Sequence, residues 1–488
     1  MIAAYAPLVA PPSAQPPTPN LAPRDVERLA DDLVAYHARF AALFQRSEQR
    51  HASLLYLQGQ LRDLERKTIE PLAHAVLGGN VQALQQFIGQ SPWDADAVLH
   101  AHQAYVGETL GDADEGAFII DGCDFPKQGT ASVGVARQWC GPLGKRANCQ
   151  AGVVVCYAGP RGYTLVDRRL SLPETWFTPA DAGRRRRCGV PADVTFRTRP
   201  ELAGEMVAGL RARGPLPARW ALCDEGFGRD TALLDRLAAA DLWYMAEVPH
   251  TTRVWTERPP TGVPAGTGQG RRRTRVRVDA AAPTPIAVAA LAASLPPTAW
   301  RRHLLNEGAK GPLVAAVACV RAVAVRDALP GPDVWVVLRR GLGPDAALKA
   351  FLSNAPADLS EETLARRTAA RWPVERGSEE GKGDVGLDHD EVRGWVGWHH
   401  HVTLSFLAHH VLVQARLRLG GGKPGPDRAP GARPAPGRAA PAHADPAAGA
   451  GLAARHPALA LLRATQRQNH GAYRSHRKRI LRRLLDTS

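Results

Sequence analysis

The spacing of apolar and polar positions changes character several times along the chain, and each change predicts a different element. From Pro23 onward, Val26, Leu29, Leu33, Tyr36, Phe40, Leu43 and Phe44 recur at three- and four-residue steps, the periodicity of a helix with one apolar stripe. Leu54–Leu77 and Val81–Ile88 continue it, so residues 23–110 read as a small α-helical domain. At Ala117-Phe118-Ile119-Ile120 the pattern becomes a continuous apolar run ending in Asp121, which predicts a buried strand. Ala151–Ala158 and Tyr163–Leu170 predict two more, separated by the turn Gly159-Pro160-Arg161-Gly162, so the first three strands read as an antiparallel meander. A helix over about 199–213, a strand Trp220–Cys223 ending in Asp224, a helix over about 230–240 and a strand Leu242–Val248 follow. Strands joined by helical crossovers imply an α/β fold, a mixed sheet with helices on its faces.

Residues 250–365 break this rhythm. Arg271–Arg277 is basic and alternates at its end, and Leu313–Val325 and Val334–Leu338 are strand-like, which predicts a β-rich inserted subdomain. Helical character resumes near Thr368 with RWPVERGSEEGK, and an apolar helix covers about Trp398–Leu419, so residues 111–249 and 366–419 read as two parts of one core. Residues 1–22 are rich in Pro and Ala and read as disordered. Residues 420–455 are a Gly/Pro/Ala-rich flexible linker, and 456–488 a basic helical tail.

Charge adds a partner to this outline. The net charge is +15, and from Gly420 onward thirteen Lys and Arg face three Asp. Such a surplus favours a polyanion, most simply nucleic acid, although the Ala/Arg/Pro/Gly bias accounts for part of the arginine. Seven cysteines, an odd count with no C-x-x-C pair, suggest neither a disulfide framework nor a thiolate zinc site and fit a reducing compartment. No apolar run reaches the roughly 18 residues of a membrane helix. The start, MIAAYAPLVAPPSAQPPTP, lacks the basic region of a secretory signal. A cytoplasmic, nucleoid-associated protein is expected.

Asp121 and Asp224 both close strands. Phosphodiester cleavage with two divalent ions needs hard oxygen ligands converging on one point, and carboxylates at strand ends are held at fixed separation. A third must come from another element. Arg371, Glu375 and Lys382, four and seven residues apart, fall within one narrow sector of a helix, an acid flanked by two cations. An ordinary salt-bridged surface helix has the same spacing, and Glu379 and Glu380 are rivals. Lys127 and Arg137, just after the first aspartate, are candidates for DNA-backbone contact or solvated charge. Arg184–Arg187 is a candidate phosphate-contact loop. His399–His401 and His409–His410 read as a polar turn or a DNA-facing helix start rather than a metal site, because consecutive helical residues point in different directions. Trp255, Trp300 and Trp335 in the insertion read mainly as packing residues.

Several long segments, in order, resemble bacterial insertion-sequence transposases of the DDE superfamily. IIDGCDFPKQGTASVGVARQWCG is similar to their first-aspartate region, and NCQAGVVVCYAGPRGYTLVDRRLSLPETW continues the likeness. ALCDEGFGRDTALLDRL resembles the second-aspartate segment, and VWVVLRR with FLSNAPAD the strands before the third motif. RWPVERGSEEGKGDVGLDHDEVRGWVGWHHHVTLSFLAHHVL resembles the third-carboxylate region. The likeness runs from about residue 24 to 415. It implies a ribonuclease-H-like sheet in which the strands of Asp121 and Asp224 are neighbours, and a catalytic, metal-binding triad of Asp121, Asp224 and Glu375. It also implies two Mg²⁺ or Mn²⁺ ions, and cleavage at terminal inverted repeats followed by strand transfer into target DNA by a homodimer. Arg371, Glu375 and Lys382 match three members of a Tyr-Arg-Glu-Lys signature, with Thr368 at the tyrosine position and Arg371 and Lys382 on DNA phosphates. The N-terminal helices are then a DNA-end-binding domain or, alternatively, an oligomerisation module.

Overall fold

The computed structural model describes residues 23–264, 274–308, 311–343 and 346–419; the N-terminal 22 residues, Arg271–Arg273, the linker and the tail lie outside them. Five helices come first, α1 (Pro23–Ala38), α2 (Ser47–Gln60), α3 (Ile69–Ala75), α4 (Val81–Gly89) and α5 (Ala95–Leu110). Next are β1 (Ala117–Pro126), β2 (Ala136–Cys140), β3 (Lys145–Gly159), β4 (Gly162–Ser171), α6 (Ala182–Arg187), α7 (Arg199–Arg213), β5 (Trp220–Cys223), α8 (Glu225–Gly228), α9 (Thr231–Ala239) and β6 (Trp243–Val248). The insertion supplies β7 (Arg253–Trp255), β8 (Thr261–Gly262), β9 (Arg277–Val278), β10 (Ile286–Ala287), α10 (Val288–Ser294), β11 (Arg301–Gly308), β12 (Gly311–Arg326), β13 (Leu329–Arg340) and β14 (Leu348–Ser353). Three helices close the described chain, α11 (Glu361–Arg367), α12 (Trp372–Val385) and α13 (Trp395–Leu419).

The strand order β4–β3–β1–β5–β6 is the expected ribonuclease-H-like arrangement, with β4, β3 and β1 antiparallel and β5 and β6 parallel to β1. All four residues of β5 are buried, as a parallel strand covered on both faces must be. Residues of β1 alternate between the two faces. Phe118 and Ile120 join α7 and α9 in one core, whereas Ile119, Cys123 and Phe125 join residues of α12 and α13 in the other. The short strand β2, not anticipated from sequence, pairs with the start of β3.

The β-rich insertion extends the same sheet: β14 pairs antiparallel with β6, and β13, β12 and β7 continue outward, so twelve strands share one sheet while β8 and β9 pair with each other in a sheet of their own. Pairing with β14 satisfies the backbone edge that β6 would otherwise present. The first helices do not stand alone. Leu29, Leu33, Tyr36, Phe40 and Leu84 share a core with Leu404, Leu407, Ala408 and Leu412 of α13.

That packing also corrects the reading of the histidines. They are neither a turn nor a DNA-facing start, because α13 is wedged between the sheet and the N-terminal helices. His400 Nδ1 and Nε2 lie 2.9 and 3.0 Å from the carbonyls of Ile88 and Trp93, one of which the neutral ring donates to, and His401 meets Tyr56 Oη (2.8 Å) and the Leu387 carbonyl (3.1 Å). His409 meets Thr164 Oγ1 (2.9 Å), and His410 meets Tyr36 Oη (3.2 Å). Polar rings inside an apolar layer are tolerated because each finds partners.

Candidate active site

Asp121 and Asp224 are placed by the sheet. Ile120 lies opposite Cys223 in the parallel pair β1–β5, so each aspartate is the next residue along neighbouring strands. Asp224 then ends its strand and caps α8, its Oδ1 accepting the Phe227 amide at 3.2 Å. Asp121 Oδ1 accepts the Gly122 amide at 2.8 Å. The Asp121 carboxyl is pushed up to about 6, mainly by burial, with Arg371 pulling it down and the like charges of Asp224 and Glu375 adding to the rise. Those three acids therefore feel one another, with Arg371 between them as the opposing charge.

Helix α12 packs on β1, and of its charged residues Arg371 and Lys382 reach that strand, whereas Glu375 stays mostly exposed. Arg371 at its start donates through Nη2 to Asp121 Oδ2 (3.4 Å), while its Nη1 is 3.9 Å from Glu375 Oε1 and 4.0 Å from Glu247 Oε2. The Arg371 Nε is buried without a partner among the described residues. Lys382 Nζ donates to the Asp124 carbonyl (3.0 Å), further along β1. Among the described residues no three His, Cys, Asp or Glu side chains gather tightly enough to hold an ion as a trio. Glu375 is the outlying member, its side chain 62% exposed.

The two glycines that weaken α12 as an isolated helix have different contexts. A Cβ on Gly381 would approach Leu387 Cδ2 to 3.1 Å, so glycine permits the close seat of the helix, whereas one on Gly377 would meet its neighbours at ordinary contact distance. Gly386 ends the helix at φ +71, where a side chain would also strike Lys67.

The rival glutamates are employed elsewhere. Glu380 is buried on the opposite sector and accepts from Tyr163 Oη and Arg376 Nε (3.0 Å each) and from Arg416 Nη1 (2.8 Å), with His409 Nε2 at 3.2 Å. Burial opposes its ionisation, but these donors outweigh burial and hold it well below the usual carboxylate range. Glu379 pairs with Arg376 at 3.3 Å on the solvent side.

The remaining candidates separate by environment. Lys127 is committed to Asp390, donating to its carbonyl (2.6 Å) and Oδ1 (2.8 Å), both side chains nearly enclosed. Arg137 stands exposed on β2. Arg184 and Arg185 lie over the rings of Trp176 and Phe177, and Arg184 also donates to the carbonyls of Thr130 and Val135, so half of that basic run secures the fold. Thr368 is buried and accepts Arg339 Nη1 from β13 at its carbonyl (2.7 Å) and Oγ1 (3.2 Å); it faces the insertion. Sequence reasoning missed Glu247, whose other oxygen accepts Lys349 Nζ at 2.8 Å. The available signal was a lone acid in the otherwise apolar strand WYMAEV.

Residues 39–312 match the family described as DDE superfamily endonuclease, a span that contains Asp121, Asp224 and Glu247 and ends before Glu375. A probable transposase for insertion sequence element IS701 from Microchaete diplosiphon is 29% identical over 159 residues, which is 32% of this chain. The alignment covers 37% of that relative's length.

Proposed function

The chain belongs to the DDE superfamily endonuclease family, and from that premise we propose that it is a transposase that cuts DNA at the ends of an insertion element and joins them to target DNA, with Asp121, Asp224 and Glu375 as its acidic catalytic set. The observation that carries this reading is the parallel register of β1 and β5, which sets the two aspartates side by side, with Arg371 of α12 against Asp121. Their hard oxygen donors suit divalent cations of the Mg²⁺ or Mn²⁺ type. When bound by these carboxylates, two such ions would supply Lewis-acid stabilisation of charge developing on the phosphate oxygens. Arg371 grips a phosphate beside the scissile bond through its planar fork, and Lys382 acts as a point charge one turn pair further along α12. The sheet fixes the aspartates, while Glu375 approaches from the helix. The working assembly is a homodimer that brings two element ends together.

The test uses the full chain, a duplex carrying the inverted repeats that border its gene, and Mg²⁺. Cleaved ends joined to a target plasmid are expected, and Asp224→Asn should abolish cutting while retaining binding. Cutting by the Asp224→Asn protein would remove the assignment. Cleavage with no joined product would reduce the activity to that of a nuclease.

A further inference from the structure

β2 and the start of β3 form a hairpin whose charged side chains have one sign. No Asp or Glu occurs between residues 125 and 166, whereas Arg137, Lys145 and Arg146 fall on the hairpin. All three are exposed, and Trp139 between them is 59% exposed. Among the described residues Trp139 and Trp372 are the exposed tryptophans, and Trp139 is the more exposed of the two and stands among cations.

Register supplies the direction in which that surface looks. Asp121 lies opposite Val154 on β3, and both belong to the sheet face covered by α12. Pairing continues without a shift to Pro126 opposite Cys149, and Cys149 in turn lies opposite Ala136 of β2. Side chains alternate along a strand. Ala136, Gln138 and Cys140 therefore take the other face, and Arg137 and Trp139 take the face of Asp121. Arg146, directly opposite Trp139, shares it. Asp124 fixes the base of the ribbon, its Oδ2 accepting the Gly141 amide at 2.9 Å and its Oδ1 accepting from Arg199 Nη2 at 3.3 Å.

We infer that the β2–β3 ribbon is a DNA-binding arm that engages the same duplex whose scissile phosphate sits at Asp121 and Asp224, with Arg137 and Arg146 on backbone phosphates and Trp139 against the sugar and base edges between them. The inference rests on the proposed DNA-cutting function. From Val154 to Arg146 the chain advances eight residues, about 26 Å at the rise of an extended strand. That length corresponds to about eight base pairs, so the arm meets the duplex most of a turn away from the cleavage point. A two-stranded ribbon is also an element that the major groove admits. Charge complementarity selects duplex DNA over a second copy of this basic chain, since a ribbon without acids would repel its own image.

The test measures fluorescence anisotropy of a labelled 30-base-pair duplex with full-length protein in the Asp224→Asn background, from 50 to 200 mM KCl. Replacing both Arg137 and Arg146 by Ala should reduce the slope of log affinity against log salt by about two, since each lost phosphate contact removes about 0.9. Trp139→Ala should weaken binding about tenfold with the slope unchanged, the signature of an apolar rather than an ionic contact. Because all three side chains are exposed, thermal melts should match the parent within a few degrees. If the Asp224→Asn parent binds no duplex, the proposed function and the arm fall together. If it binds and both arm variants bind equally well, the arm alone is wrong. Unchanged DNA affinity with a dimer-to-monomer shift of Trp139→Ala on gel filtration would make the ribbon a protein interface and overturn the inference.

Discussion

Asp121 shows how a buried carboxylate strains the fold that holds it. Its carboxyl is pushed up from 3.8 to about 6, chiefly by burial and against the pull of Arg371, so the folded state holds its proton more tightly than the unfolded chain does. The sign follows from linkage: ionised Asp121 destabilises the fold, an effect that appears as pH rises from about 4 and is complete above about 6. At about 1.4 kcal/mol per unit the upper bound is about 3 kcal/mol, reduced by solvent because the side chain is 22% exposed. Asp121→Asn in EDTA should therefore melt several degrees higher than the parent at pH 7.5 and at nearly the same temperature at pH 4, while losing all cleavage. Melting curves at both pH values check this, and an equal gain at pH 4 and 7.5 would point to packing instead of charge. Both aspartates were legible in the sequence because each ends a short apolar run, but only Asp224 stands at a strand end: β1 continues past Asp121 to Pro126, since its outer half still pairs with β3. Glu247 was not legible, since one acid near the end of an apolar strand looks like ordinary alternation until Arg371 is seen 4.0 Å away.

At the scale of an element, α13 carries the most information that sequence withheld. Its apolar run was read correctly as a helix, yet its histidines were placed on a surface because their partners are remote. His400 lies against carbonyls more than 300 positions earlier, and no local pattern announces that. Burial lowers the His102 and His400 side chains from 6.5 to about 4, and holds His410 well below 6.5, so all three are neutral inside the helical layer. A depressed histidine stabilises above its unfolded value, and the contribution is lost as pH falls from about 6.5 towards 4. Glu380 titrates below its unfolded value of 4.5, so its loss follows at more acid pH. Urea melts between pH 7 and 4 should show stability falling steadily through this first window. In His102→Gln, which retains a donor for the Leu165 carbonyl, the fall should be shallower by about one proton, or about 1.4 kcal/mol per pH unit. An unchanged slope would mean that His102 titrates alike folded and unfolded. Helix α12 was more legible, because a four- and seven-residue spacing survives any tertiary context, and its glycines needed the sheet to show that Gly381 serves a close approach.

Across the whole molecule, the order of elements was readable and the way they pack together was not. Periodicity marks where an element lies, whereas a domain boundary depends on which apolar faces meet, and that is settled by residues distant in the chain. Leu404, Leu407 and Leu412 complete the core of the first five helices, and the opposite side of α13 packs on the sheet through Trp398, Val402 and Phe406. The insertion likewise extends the sheet through β14. The N-terminal helices are thus packed, through α13, onto the sheet that carries Asp121 and Asp224. Two consequences are measurable. Calorimetry of the intact chain should give one main transition, with calorimetric and van't Hoff enthalpies in agreement. The fragment 23–110, deprived of α13, leaves the apolar faces of Leu33, Phe40 and Leu84 uncovered and should show little cooperative melting by circular dichroism. Adding a peptide of residues 395–419 should restore helicity to the mixture beyond the sum of its parts. A fragment that melts sharply by itself would return the N-terminal helices to the status of an autonomous domain.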